Sequence, residues 1–365
     1  MNRSEIGYQR MHNQRIAGNR CGKPDEVVRH LGAMQAQDYH QVLWAIGSRM
    51  QHASVSDVER SIAEREIVLT WPMRGTIHAV PPESVRPMLH LLTPRILAGD
   101  KRRLEQLELT KEIIEQSMKL MSTALQGHQR ITRQDAMQLL EEAGIRTTGQ
   151  RGYHLLWHMA QTGLICLGPR EGKQQTFVLL DEWVTPAHDA SREEVLLQLT
   201  ERYYAGHGPA TVQDFAWWTG LTLSDARLGL RLAKSQLESA MIDQREFWYH
   251  SSAARFSEFR PSVYLLAGFD EYLLGYKDRS DVLCKEHAKY IVPGGNGVFM
   301  PSIVIDGQVA GIWKRKAKAK GLDMLLELFA AHDDRAEELI TAAARYSEFM
   351  ELPLLSVDIQ VITSK

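Results

Sequence analysis

"IVLTWPMRGTIHAV", residues 67–80, holds two β-rich runs, "IVLTW" and "TIHAV", around the turn residues "PMRG". Such a pattern reads as a β-hairpin. What precedes it decides what the hairpin belongs to. "PDEVVRHLGAM" (24–34) sets a proline at a helix start and repeats apolar residues at Val27, Val28, Leu31 and Met34. "DYHQVLWAIGSRM" (38–50) is helical again, and "SVSDVERSIAERE" (54–66) offers Ser56 and Glu59 at capping-box spacing. Three helices and then a hairpin is the order of a winged helix, a relative of the DNA-binding helix-turn-helix.

The plan recurs twice. In "ITRQDAMQLLEEAGI" (131–145) Thr132 is an N-cap, and Ala136, Leu139, Leu140 and Ala143 share one apolar face. "QRGYHLLWHMAQTG" (150–163) ends on Gly163, and "LICLG" and "QTFVLL" flank the turn "PREGKQ". A third set runs from "SREEVLLQLTERYY" (191–204) through "TVQDFAWWTG" and "LSDARLGLRLAKSQL" to the β-rich "SAMIDQREFWYH" (239–250). The predicted organisation is α+β: a winged helix over 1–98, a helical connector over 99–130, further winged helices over 131–188 and 189–260, and a β-rich domain over 261–365. This order favours duplex DNA as partner; the competing use of winged helices is as protein-interaction modules.

Length and composition set the outer limits. A chain of 365 residues has room for two to four units. Its 44% hydrophobic and 24% charged residues are the balance of a soluble globular protein. No apolar run approaches the roughly 18 residues of a membrane span, and "MNRSEIGYQRMHNQRIAG" (1–18) lacks the apolar core of a secretory signal. Cys21, Cys166 and Cys284 are odd in number and far apart, so no disulfide framework is expected. A cytoplasmic location is the simplest expectation. With a net charge of −2, a DNA-binding surface has to gather its positive charge on one face.

Several constellations qualify. Arg74 stands in the turn of the first hairpin, where an arginine can enter the minor groove, and Thr76 and His78 share a face of the following strand. His78 is more often a satisfied structural group than a catalyst. "WKRKAKAKG" gathers Lys314, Arg315, Lys316, Lys318 and Lys320; it reads either as a phosphate track or as a solvated edge strand. His154 and His158 have the spacing of a zinc pair without the metalloprotease glutamate, and packing beside Trp157 explains them better. "VPGGNG" matches no phosphate-binding pattern and reads as a turn, and Trp217 and Trp218 read as core. In "YLLAGFDEYLLGYKDR", Asp270, Glu271, Tyr272, Tyr276, Asp278 and Arg279 follow an apolar strand. Acids beside DNA need a specific partner, such as Arg279 or a neighbouring basic residue. Their expected role is to hold the β-rich domain in place, with substrate contact second.

"LGAMQAQDYH" (31–40) sets Gln35 and Gln37 on either side of Ala36 and puts Asp38 next. Glutamine is neither acid nor base, yet donates and accepts hydrogen bonds. The pair is either solvated loop or a holder for water. Asp38 is either a general base or the N-cap of the next helix.

The combination of "MQAQD", "WPMRGTIHAV" and "FDEYLLGYKDR" resembles the AlkZ-type DNA glycosylases, in family order over nearly the whole chain. The family motif is Gln, an apolar residue, Gln, here Gln35, Ala36 and Gln37; the related YcaQ-type crosslink glycosylases carry aspartate at the last position. The resemblance implies three tandem winged helices and a C-terminal β-rich element in a C-shaped clamp on DNA. It also implies a monofunctional glycosylase releasing N7-alkylated purines, extending to interstrand crosslinks, with Gln35 and Gln37 catalytic and Asp38 their rival. Arg74, Thr76, His78, Lys314, Arg315 and Lys316 would contact DNA, and Asp270, Tyr272 and Arg279 would be structural or close to substrate. The expected partner is double-stranded DNA containing alkylated purines, met as a monomer, with no metal, no small-molecule cofactor and no membrane. The chemistry is consistent: an N7-alkylated purine is already cationic, so the acid that ordinary glycoside hydrolysis needs is dispensable. Neutral amides also avoid the desolvation cost of a buried carboxylate. The rival function is a winged-helix transcription regulator, which would present paired half-site readers.

Overall fold

In the computed structural model, which describes residues 3–185, 190–252 and 261–362, the chain gathers into two compact units. One comprises Met1–Val58 with Leu197–Lys365, the other Glu59–Leu196. The expected domain ends at 188 and 260 lie outside the described residues.

The chain opens with α1 (Arg3–Asn13) and α2 (Pro24–Leu31). Pro24 at the first turn of α2 loses no hydrogen bond there, and Val27, Val28 and Leu31 turn inward. A two-residue extended stretch, β1 (Met34–Gln35), leads to α3 (Tyr39–Gly47), capped by Asp38. In α4 (Val55–Ala63) the capping box is Ser54 and Asp57, not Ser56 and Glu59. The sequence offers the same chemistry in two registers. The observed one sets Val58 and Ile62 into the core.

Next come β2 (Val68–Met73) and β3 (Thr76–Val80). β2 runs through Pro72 and Met73, so the turn shrinks from four residues to Arg74 and Gly75, both at positive φ (52° and 70°). This is the backbone of a tight hairpin turn, in which glycine is at ease. The register slips between Thr70 and Met73, and such an irregularity is where a strand tolerates proline. Three helices follow: α5 (Pro82–Gly99), α6 (Lys101–Gln106) and α7 (Lys111–Leu125). After β4 (Ile131–Thr132), Thr132 caps α8 (Arg133–Glu142) as predicted, and α9 (Arg151–Gln161) leads into β5 (Ile165–Glu171), β6 (Gln174–Leu179) and α10 (Leu180–Trp183). Within this unit the strands run β3-β2-β5-β6-β4. Trp157 of α9 donates to Gly75 O at 3.1 Å, pinning the first hairpin turn. His154 stacks on Trp157, with ring centroids 5.0 Å apart, and meets Asp100 at 2.8 Å. That is packing, as expected.

The third helical set is α11 (Arg192–His207), α12 (Val212–Thr219) and α13 (Leu223–Leu232), followed by the hairpin β7 (Leu237–Ile242) and β8 (Arg245–His250). Trp218 is fully buried, but Trp217 is 42% exposed, so only one of the pair is core. Beyond it come β9 (Val263–Leu266), α14 (Glu271–Leu274), α15 (Ala288–Ile291), β10 (Ser302–Ile305), β11 (Gln308–Lys318), β12 (Gly321–Leu328), α16 (Ala336–Phe349) and β13 (Leu354–Val361). "VPGGNG" falls in the turns between α15 and β10. The sheet order is β13-β12-β11-β10-β9; it is antiparallel except for β12 and β13, a parallel pair joined through α16.

The N-terminal segments are tied to this sheet in two places. Trp44 of α3 and Trp313 of β11 donate to adjacent carbonyls, Leu265 O and Leu266 O, each at 2.8 Å. Gly7 of α1 lies so close to the Asp306–Gly307 turn that a Cβ there would sit 2.4 Å from Gly307 O. The Tyr272 hydroxyl donates into the same junction, to Gly307 O at 2.7 Å.

Candidate active site

The Gln35–Ala36–Gln37 motif bridges β1 and α3. Ala36 is buried, Gln35 half-buried and Gln37 exposed. Asp38 is fixed as a cap: its Oδ1 accepts from the His40 and Gln41 N–H groups at 3.0 and 3.2 Å. That satisfies two of the donors a helix start leaves open. Gln41, one turn on, accepts from Gly268 N–H at 2.7 Å and ties α3 to the segment before α14.

What holds Gln35 comes from far along the chain. Its backbone N–H donates to Glu271 Oε1 at 2.9 Å. Glu271 is 1% exposed, and its Oε2 accepts from Trp218 Nε1 at 2.8 Å and lies 3.3 Å from His207 Nε2. The His207 ring stacks on Tyr203 at 4.8 Å, and the Tyr276 hydroxyl donates to His207 O at 2.6 Å. Burial pushes the Tyr203, Tyr272 and Tyr276 hydroxyls well above their ordinary range, so all three serve as neutral donors.

Beside this lies a second buried pair. Arg49, from just after α3, binds both oxygens of Asp270 at 2.7 and 2.9 Å, and the two side chains are essentially inaccessible. Arg49 also donates to Gln14 Oε1 at 2.8 Å, and Gln14 Nε2 donates to the Tyr276 hydroxyl at 3.0 Å. Asp270 in addition caps α14 through Tyr272 N–H at 2.9 Å. The specific basic partner that the motif's acids need is, for Asp270, Arg49, 221 residues away in sequence, and not Arg279, whose Nε donates to Leu273 O at 2.7 Å and whose guanidinium lies over Phe299.

The structure thus brings Asp270 and Tyr272 into the scaffold behind the glutamines. Glu271 of the same motif and the core residue Trp218 join it, and residues that the sequence did not single out complete it: Arg49, Gln14 and His207. Glu271 stood inside a recognised motif; nothing local marked Arg49 or His207, because their role depends on pairing across the chain.

Arg74, Thr76 and His78 cluster on the first hairpin of the second unit. His78 is fully buried, its Nδ1 is 2.9 Å from Thr76 O, and Arg74 Nη2 approaches its Nε2 at 3.5 Å. On β11, Lys314 and Lys316 alternate with Arg315. Lys314 lies 2.5 Å from Glu327, and Lys318 pairs with Asp323 on the neighbouring strand. Arg315 points the other way, toward Met350 Sδ (3.7 Å) and the Tyr346 ring. Among the described residues no group of three or more His, Cys, Asp or Glu could hold a metal ion, and no helix is long and apolar enough to cross a membrane.

The family described as DNA glycosylase AlkZ-like matches residues 28–349. The interstrand DNA cross-link repair glycosylase of Streptomyces sahachiroi is 26% identical over 328 residues, 84% of this chain and 85% of that protein. The solved structure of Streptomyces sahachiroi DNA glycosylase AlkZ superposes with a TM-score of 0.82 at 23% identity, over 98% of this chain and 99% of the other, which shows a shared α+β fold. With a family match spanning most of its length, this chain belongs to the AlkZ-like DNA glycosylases and is an enzyme of DNA repair.

Proposed function

We propose that this glycosylase hydrolyses the N-glycosidic bond of N7-alkylated purines in duplex DNA, with Gln35 and Gln37 holding the attacking water near C1′. The observation that carries the reading is the state of the carboxylates around the motif. Glu271 is spent on the Gln35 backbone, Asp270 on Arg49, and Asp38 on the amides of α3. The motif itself is left with neutral amides, which suit a leaving group that already carries its charge. Each contributes through hydrogen bonds of about 1 kcal/mol and through positioning.

Three runs of helices, each closed by a hairpin, support tandem winged helices over 1–98, 131–188 and 189–260 that meet DNA as a monomer. Arg74 and Thr76 would serve the first of them, with the buried His78 behind them, and Lys314 and Lys316 the backbone of the duplex, Arg315 facing Tyr346 on the other side of the strand. The name of the Streptomyces relative, an interstrand cross-link repair glycosylase, supports extending the proposed substrate range to interstrand crosslinks, and bulky N7 adducts are included because the charge on the base matters more than its substituent. The family resemblance implies a monofunctional enzyme, and no lysine adjoins the glutamines in sequence, so the proposed reaction ends at base loss without strand cleavage. The cytoplasm is the matching location.

The test is release of base from duplexes carrying N7-methylguanine, a bulky N7 adduct or an N7 crosslink, under single turnover. Wild type releases all three. Gln35→Ala and Gln37→Ala each slow release about 5- to 10-fold, one hydrogen bond apiece, with duplex affinity kept. Full activity of the double variant would transfer the water to Asp38. Duplex binding without release from any lesion would favour the regulator instead.

A further inference from the structure

In the larger unit a cavity of about 330 Å³ opens between α3, β9 and α16, lined among others by Arg20, Trp44, Ser262, Tyr264, Thr341 and Arg345. Its size is that of a small-ligand pocket. Its two arginines are set in an unusual way. Arg345 donates through Nη2 to two backbone carbonyls, Ser48 O at 2.9 Å and Met50 O at 3.0 Å. Arg20 donates through Nε to Ile16 O at 3.1 Å, with its guanidinium 5.7 Å from the Tyr264 ring centre. Among the described residues neither has a carboxylate within ion-pair distance.

The acids near the cavity are committed elsewhere. Glu338 lines it, but is held by Arg335 Nε at 2.6 Å; Asp306, whose carboxylate accepts from Ser262 N–H, is held by Arg335 Nη1 at 2.7 Å. Glu348 acts on Arg345 only from a distance. Burial, and then the Arg20 charge, bring Arg345 down to about 10, and burial lowers Arg20 as well. Two guanidinium groups that repel each other in a half-buried cavity are costly unless an anion joins them. The bonds to backbone carbonyls engage Arg345 through Nη2 and Arg20 through Nε, so Arg345 Nη1 and the Arg20 terminal nitrogens are the donors that match a phosphoryl group.

We infer that this cavity binds a phosphate group, with Arg20 and Arg345 as its two donors and the Thr341 and Tyr264 hydroxyls at its edge. The apolar wall at Trp44 and β9 leaves room for a small organic body, so the class of ligand is a phosphate ester. The same phosphate chemistry has two sources, a free nucleotide and the backbone of DNA. The inference stands on this cavity alone and does not depend on the glycosylase reading.

The test uses the full chain, with dAMP, inorganic phosphate and a 12-base-pair undamaged duplex as separate probes in titration calorimetry. dAMP is expected to bind in the submillimolar range and inorganic phosphate more weakly. Arg20→Met should weaken dAMP at least tenfold by removing its charge-assisted bonds, and Arg20→Lys less. Arg345→Met also removes two hydrogen bonds to the backbone, so a folded control is Thr341→Phe, which fills the cavity from the surface of α16 and should abolish binding with both arginines in place. If dAMP fails but duplex affinity falls in both Arg20→Met and Thr341→Phe, the phosphate belongs to DNA and the site stands. If no probe binds wild type in a way that these variants change, the cavity is not a phosphate site.

Discussion

Two charged regions of the larger unit obey opposite rules. Behind the glutamines, Arg49, Asp270 and Glu271 are withdrawn from water, and each has specific partners within 3 Å. On β11, Lys314 and Lys316 lie on a solvated face opposite Glu327 and Asp323, and salt and water can replace any one of these pairings. The basic strand carries more charge in a row, yet the buried trio carries more energy. Desolvation decides, because a charge already removed from water has no substitute partner when its own is deleted. The glutamines inherit their position from the first region, and the second serves at most to attract a polyanion.

The comparison is tested hardest at the Arg49–Asp270 pair. Asp270→Asn leaves a guanidinium buried without its counterion, and we expect a loss of about 3–5 kcal/mol in denaturant unfolding. Arg49→Met combined with Asp270→Leu removes both charges and should recover most of that loss. A single variant costing less than about 1 kcal/mol would place this pair in the same class as the surface lysines, and the contrast would collapse.

Glu271→Gln asks a finer question. A carboxylate accepts from Gln35 N–H on one oxygen and from Trp218 Nε1–H on the other. An amide has one oxygen, so one of those donors must face an NH2 group. The expected loss is about 1–3 kcal/mol, the cost of one unsatisfied buried donor. Base release should slow through a lower single-turnover rate with duplex affinity unchanged, because the group displaced is the Gln35 backbone. Equal rates in wild type and variant would detach Glu271 from the motif.

A third measurement varies pH. His30 donates from Nε2 to Asn13 O at 2.5 Å, and burial is the main reason it is held down to about 4. The unfolded chain takes up that proton near pH 6.5, the folded chain only near 4. The contribution of His30 to stability is therefore complete above about 6.5 and is lost as pH falls from there toward 4. Over that window wild type should lose about 3 kcal/mol more than His30→Gln. Parallel pH profiles would show that this histidine is solvated.

How much of this was legible follows the same division. Helices and hairpins announce themselves locally: Pro24, the Thr132 cap and the turn at Arg74 and Gly75 act within a few residues, so spacing finds them, although the turn is read two residues too wide and Asp38 is left open between cap and general base. The cap at Ser54 escapes by two residues because "SVSDVE" supports two boxes and only the burial of Val58 and Ile62 chooses between them. Gln35 and Gln37 are legible through their motif. Arg49 is not, since an arginine at a helix end looks solvated until Asp270 arrives from the far end of the chain. Trp217 and Trp218 show the limit from the other side: adjacent helix positions point apart, and the tertiary hydrogen bond with Glu271 selects which one is core.

The smallest expected effect belongs to the basic strand. Lys316→Ala should change stability by less than about 0.5 kcal/mol, since exposed pairs with Asp323 are weak and easily screened. Replacing Lys314, Arg315 and Lys316 together by glutamate adds like charges opposite Asp323 and Glu327, at about 0.2–1 kcal/mol each, and turns one acid toward Tyr346. The fold should persist. Affinity for any duplex, damaged or not, should fall alike, and the slope of log affinity against log salt should flatten by roughly 0.9 for each phosphate the strand no longer neutralises. The carboxylates of β12 set a ceiling on that change: lysines already paired with Glu327 and Asp323 must leave one partner to meet a phosphate. A slope reduced by less than about 1 would therefore mean that β12 keeps the strand's charge for itself, and that other residues neutralise the phosphates.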